Sequence, residues 1–261
     1  MRRRGSVTGV LALVAIMVAV GLGGWAVLRH GTGCALAFNT PCLRVLFLGN
    51  SYTYVNELPE VFAALVRSGG GPVEVGMVAP GGGYLEDLAK SADVDAALHG
   101  SQWTDVVLQE QSMAPASAME LQQHSIPAAA SLVSSVRAAG AIPLFLQTWA
   151  HRDGWPEMGL DYARMQVQID AGYDAMGTAT QATVIRAGDA WQQALTQAPG
   201  LVLWQDDGSH PALAGTYLVA CVLYADITGR SPVGLGETAG LDEVVARQLQ
   251  EIAAQATGLA P

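Results

Sequence analysis

A chain of 261 residues that is 51% hydrophobic and only 14% charged is long and apolar enough for one well-filled α/β domain, and it excludes extended disorder. Its formal charge of −10 is unevenly spread: the first 30 residues hold four arginines and no acid, and the rest carry 9 basic against 23 acidic side chains. That balance excludes a nucleic-acid partner, which needs clustered Lys and Arg, and excludes docking of the acidic part on anionic lipid.

The first element is apolar. Met1-Arg2-Arg3-Arg4 precedes 24 uncharged residues, Gly5 to Leu28. At about 1.5 Å per residue such a helix crosses a hydrocarbon core of roughly 30 Å. Arginines before it and an acidic region after it fit the positive-inside rule with the remainder exported. Residues 1–30 are therefore expected to act as a membrane anchor with an extracytoplasmic domain, or as a signal peptide cut after Ala35-Leu36-Ala37, which gives a secreted protein. Membrane contact is expected through this segment only. Residues 31–42 form a short linker in which Cys34 and Cys42 can close a small disulfide loop in an oxidising compartment. Cleavage after Ala37 would remove Cys34. The third cysteine, Cys221, lies in an apolar helical stretch and reads as core.

Residues 43–261 read as one domain. Strands are predicted at Arg44–Leu48, Val73–Val78, Asp105–Gln109, Ile142–Gln147 and Thr183–Arg186. Helices are predicted at Asn56–Arg67, Tyr84–Leu98, Ser117–Ala139, Leu160–Met176, Ala187–Gln197, Pro211–Thr228 and Leu241–Ala256. The first of these spaces Leu58, Val61, Phe62 and Leu65 along one face, with Asn56 as its N-cap. Pro127 is expected to kink or split the third. A surface loop is expected at His151–Gly159. Strand–helix alternation implies a central five-stranded parallel sheet between two helical layers.

Ligands bind such sheets at the carboxyl ends of the strands. Three polar or glycine-rich clusters fall there: Gly49-Asn50-Ser51 after the first strand, Gly81-Gly82-Gly83 after the second, and Gln109-Glu110-Gln111 after the third. The loop Asp207-Gly208-Ser209-His210-Pro211 supplies an acid and a histidine three residues apart. Asp207 is preferred over Asp206 because its spacing suits a shared loop. Ser51, His210 and Asp207 then offer a nucleophile, a base and an orienting carboxylate. Gly83 N–H and the Gln111 amide are candidate oxyanion donors beside Ser51 N–H. No Gly-Lys-Ser/Thr follows the glycines, so a phosphate loop is excluded. Asn50, Tyr52, Tyr84 and Trp149 are candidate substrate contacts.

Val45-Leu46-Phe47-Leu48-Gly49-Asn50-Ser51-Tyr52-Thr53 resembles the first block of the SGNH (GDSL-type) hydrolases. Gly81–Gly83 is similar to the second, Gln109–Gln111 falls at the third, and Asp207-Gly208-Ser209-His210-Pro211 resembles the fifth. The resemblance spans most of residues 43–228. It implies a three-layer α/β/α flavodoxin-like fold, with Ser51 as nucleophile, His210 as base, Asp207 as its partner, and Ser51 and Gly83 as oxyanion donors. Two departures stand out. Gly-Asn-Ser replaces the usual Gly-Asp-Ser, and the third-block asparagine has no match, leaving Gln111 as its nearest counterpart. The implied reaction is ester hydrolysis with no metal or organic cofactor. The expected substrate is a small acyl group, such as acetyl, on a carbohydrate or other small molecule. A lipase or lysophospholipase, or a silent binding module on the same scaffold, are the alternatives.

Overall fold

The computed structural model describes residues 26–27, 34 and 41–259. Six strands form one sheet: β1 (Ala26–Val27), β2 (Leu43–Leu48), β3 (Val73–Val78), β4 (Asp105–Leu108), β5 (Ile142–Leu146) and β6 (Thr183–Ile185). Their order is β1-β3-β2-β4-β5-β6. The strands β2 to β6 run parallel, and β1 adds two antiparallel residues opposite Val78 and Met77.

Between and after the strands come α1 (Ser51–Tyr54), α2 (Leu58–Ser68), α3 (Leu85–Ala89), α4 (Ala92–Gly100), α5 (Ala118–Glu120) and α6 (Ile126–Ala138). The series closes with α7 (Tyr162–Thr180), α8 (Ala187–Gln197), α9 (Leu213–Thr228) and α10 (Glu243–Ala256). Side chains alternate across a strand, and β2 shows what that does here. Val45 and Phe47 point into one core with Phe62 of α2, Trp191 of α8 and Ile252 of α10. Leu46 and Leu48 point into the other with Leu88 of α3, Val133 of α6 and Tyr173 of α7. The strand is buried on both faces, which is why it reads as a continuous apolar run. The most enclosed helix is α9, packed against α2, α8 and α10, with every residue from Ala214 to Ala225 buried. Burial pushes the Cys221 thiol on this helix above its ordinary range.

Several helices differ from their predicted spans for local reasons. Asn56 is not an N-cap: it and Glu57 take left-handed backbone at φ 55° and 53°. The chain runs through α1 and a 3-10 turn, Val55–Glu57, before α2 begins. The Asn56 amide instead donates to Pro211 O at 2.9 Å and Thr216 Oγ1 at 3.0 Å. The helix expected at Tyr84–Leu98 is split by Ser91, whose hydroxyl accepts from Val94 N–H and starts α4. Pro127 sits in the first turn of α6, and the residues before it, Leu121–Ser125, wind as a π-helix.

Cys34 and Cys42 are joined as a disulfide with their Cα atoms 5.4 Å apart. The anchor or signal segment expected in residues 1–30 lies outside the described residues apart from Ala26–Val27, which are strand. Among the described residues no helix is long and apolar enough to cross a membrane.

Candidate active site

Ser51 opens α1 directly after the β2 turn. Gly49 makes that turn possible, because a Cβ there would collide with Thr53 Oγ1 and Gln109 Oε1. Asn50 caps the helix, its Oδ1 accepting from Tyr52 N–H at 3.1 Å. The Ser51 N–H, first in the helix, has no intrahelical acceptor.

The structure brings Ser51 and the late loop together. Ser51 Oγ lies 3.0 Å from His210 Nε2, and His210 Nδ1 lies 2.6 Å from Asp207 Oδ2. Asp207 Oδ1 also accepts from Ser209 N–H at 2.9 Å and His210 N–H at 3.0 Å. Partial burial pushes the Asp207 carboxyl up, but these hydrogen bonds outweigh it and hold the group below the usual carboxylate range. An ionised Asp207 can only accept, so Nδ1 carries the proton in the neutral ring. The Nε2 lone pair then faces the Ser51 hydroxyl. Asp206, the competing acid, offers its backbone oxygen to Arg152 at 3.2 Å.

The loop is fixed from below by aromatic stacking. Tyr52 lies on Trp149 with centroids 4.7 Å apart, and Trp149 lies on Trp191 at 4.1 Å. Trp149 Nε1 donates to Ser209 O at 3.1 Å. The Tyr52 hydroxyl pairs with Ser209 Oγ at 2.7 Å, and that oxygen also meets His151 Nε2 at 3.1 Å. His151 Nε2 reaches Ser112 Oγ at 3.3 Å as well. One imidazole thus ties the His210 loop to the residue that follows Gln111. Burial lowers the His151 ring's affinity for a proton and favours its neutral form, Asp207 opposing and His210 reinforcing this. Burial likewise pushes the Tyr52 phenol up to about 12.

Three of the expected substrate contacts are corrected by burial. Tyr52, Trp149 and Asn50 are 4%, 1% and 3% exposed, so none offers a face to a ligand. Tyr84, at 38%, does. The Asn50 amide is used internally, donating to Gly83 O at 2.9 Å, while its backbone N–H donates to Gln109 Oε1 at 3.1 Å. The Gly83 oxyanion role is corrected too: its N–H donates to Pro80 O at 3.1 Å and closes a turn. Gln111 Oε1 accepts from Met113 and Ala114 N–H at 2.7 and 3.1 Å. That leaves the Gln111 Nε2 amide group, which donates to Ser112 Oγ at 3.3 Å, with a further hydrogen to give.

Two positions that hold the strand-end loops together carried no sequence signal of their own. Glu110 is 1% exposed, and its Oε1 accepts from Leu85 N–H at 2.9 Å and Gln111 N–H at 2.7 Å. It therefore clamps the second strand-end loop to the third. Burial pushes its carboxyl up despite those bonds. Gln109 does the same between the first and third loops, receiving Asn50 N–H and the Thr53 hydroxyl. Only their position at the end of β4 marked them.

No family model and no curated protein matches the chain. Solved structures do match. A candidate SGNH hydrolase from Slackia heliotrinireducens is 28% identical with a TM-score of 0.61, over 72% of this chain and 100% of its own. A DUF4886 family protein from Bacteroides uniformis is 20% identical with a TM-score of 0.73, over 83% and 95%. An acetylxylan esterase from Geobacillus stearothermophilus is 15% identical with a TM-score of 0.54, over 71% and 94%. With five parallel strands between two helical layers and a serine at the end of the interior strand β2, the chain has the three-layer α/β/α fold of the SGNH/GDSL-type hydrolases.

Proposed function

We propose that the chain is a serine hydrolase of carboxylic esters. The observation that carries this reading is the unbroken hydrogen-bonded series Asp207–His210–Ser51, at 2.6 and 3.0 Å. His210 Nε2 takes the Ser51 proton as Oγ bonds to the ester carbonyl carbon. The carbonyl oxygen becomes an oxyanion, met by Ser51 N–H and the Gln111 amide N–H. As the C–O bond to the alcohol breaks, His210 returns the proton to the leaving oxygen. Water, deprotonated by the same ring, then attacks the acyl-serine, and the carboxylic acid leaves as Ser51 recovers its proton. The similarity in fold to an esterase from Pseudoalteromonas supports the class of chemistry.

Of the three aromatic side chains expected to contact substrate, Tyr52 and Trp149 are enclosed in the stack, and Tyr84 alone is open to a sugar ring or another group. The Cys34–Cys42 disulfide and the arginine-led apolar segment support export of the domain. An active-site fluorophosphonate followed by peptide mass spectrometry tests the mechanism. Ser51 is expected to take the label, and His210→Ala to lose it. Folded protein that stays unlabelled would show the site to be silent and make this a binding module.

A further inference from the structure

Between the Tyr84 loop and α7 the surface opens into a cleft of about 830 Å³, within the size range of small-molecule sites. Gln111 and Tyr84, from two of the strand-end loops that meet at the site, line its near part. Beyond them stand Met113, Met119, Leu121, Trp155 and Met158, with α7 contributing Ala171. Single exposed apolar residues are ordinary on protein surfaces, but a contiguous group is not. Here Tyr84, Met119 and Met158 are 38%, 61% and 60% exposed and share one cleft. Glu120 is the one charged residue among those lining it. With no lysine or arginine there, the cleft has nothing to hold an anionic headgroup. Methionine side chains are unbranched and polarizable, and they adapt to flexible apolar chains.

The direction of the cleft says which half of an ester it meets. None of the residues 205–211 lines it. His210 has to reach the leaving alcohol oxygen, so the alcohol departs on the side of that loop. In the proposed reaction the Gln111 amide meets the carbonyl oxygen, and Gln111 also lines the near part of the cleft. The part of the substrate left to enter it is the carbon chain of the acyl group.

We propose that this cleft is an acyl-chain subsite and that the chain prefers medium-length aliphatic acyl esters over acetyl esters. The proposal rests on the Ser51 hydrolase reading and deepens it. Burying each added methylene is expected to raise kcat/KM by up to about fourfold until the cleft is filled. The full chain is assayed on 4-nitrophenyl acetate, butyrate and octanoate, each as dissolved monomer, alongside fluorophosphonate labelling of Ser51. Ala171→Phe adds bulk from the exposed face of α7, and Met158→Glu places a charge in the cleft; neither residue is part of the catalytic series. Expected is a rise in kcat/KM from acetate to octanoate. Each variant is expected to lower the octanoate value by about tenfold while acetate stays within about twofold. Labelled Ser51 with acetate as the best substrate would overturn the acyl-chain proposal alone. So would an octanoate preference that both variants leave untouched. An unlabelled Ser51 with no ester cleaved would overturn the hydrolase reading and this proposal with it.

Discussion

The two sides of the Ser51 site are built by opposite means. On the His210 side, direction is everything: Asp207 receives three hydrogen bonds, and Ser209 meets Tyr52 and His151. Trp149 and Trp191 stack beneath. On the Gln111 side the chain breaks into a 3-10 turn at Ala114–Ala116, the short α5 and the π-helical Leu121–Ser125, and presents methionines to solvent. Hydrogen bonds fail within a few tenths of an ångström or some tens of degrees, whereas apolar contact tolerates changes of shape. The comparison teaches a division of labour: the side proposed to move protons is over-determined, and the side proposed to meet the substrate's carbon chain is left adaptable.

Changes on the His210 side should therefore be the costliest. Asp207→Asn keeps the loop's shape but removes the charge that selects the Nδ1–H tautomer, and kcat/KM is expected to fall about 10³-fold or more with an unchanged circular-dichroism spectrum. Trp149→Ala takes away the middle ring of the stack. Urea unfolding should show a loss of about 3–5 kcal/mol, and ester cleavage should weaken at temperatures where the protein is still folded, since Ser209 O loses its donor. Ser209→Ala leaves the Tyr52 hydroxyl and His151 without their shared partner. A tenfold fall in kcat, about 1.4 kcal/mol, is expected, and a wild-type rate would show that this contact is mere packing.

Glu110→Gln should have the smallest effect and the most specific one. Its carboxyl is raised by burial, so its contribution to stability is full below the unfolded value of about 4.3 and is lost as pH rises through the higher folded value. Glutamine keeps an oxygen for the Leu85 and Gln111 N–H groups but carries no charge. The variant should lose less stability than the wild type between pH 4 and pH 7 by urea midpoint, with activity little changed.

Most of the fold was legible because parallel strands buried on both faces leave a strong signal. Val73–Val78 and Ala187–Gln197 coincide with the predicted spans, and the remaining predicted strands end within a residue of the observed ones. The breaks in helices were not legible, because tertiary contacts decide them: Asn56 abandons capping to reach Pro211 and Thr216, some 155 residues away. The meeting of Ser51 with Asp207 and His210 was legible from the strand-end position of Ser51, the Asp-x-x-His spacing and the resemblance of both segments to the hydrolase blocks. Of the expected oxyanion donors only Gly83 was misjudged, because whether its N–H is free depends on the Pro80 turn, which composition does not encode. The aromatics were misjudged for a related reason. Tyr52 and Trp149 sit beside polar loop residues in sequence, but the stack with Trp191 draws them inward.

One feature of the core reaches further than packing. Only Pro211 and Ala212 separate His210 from α9, whose residues Ala214 to Ala225 are all buried. Amides in such a helix exchange with solvent only when the whole domain opens, whereas short exposed turns fluctuate at little cost. His210, the proposed general base, is thus grafted onto the most enclosed helix of the molecule, and the Met119–Met158 cleft belongs to a more open part. On warming, discrimination between acyl chains should fade well before ester cleavage is lost, so that selectivity and turnover in this protein have separate thermal lifetimes.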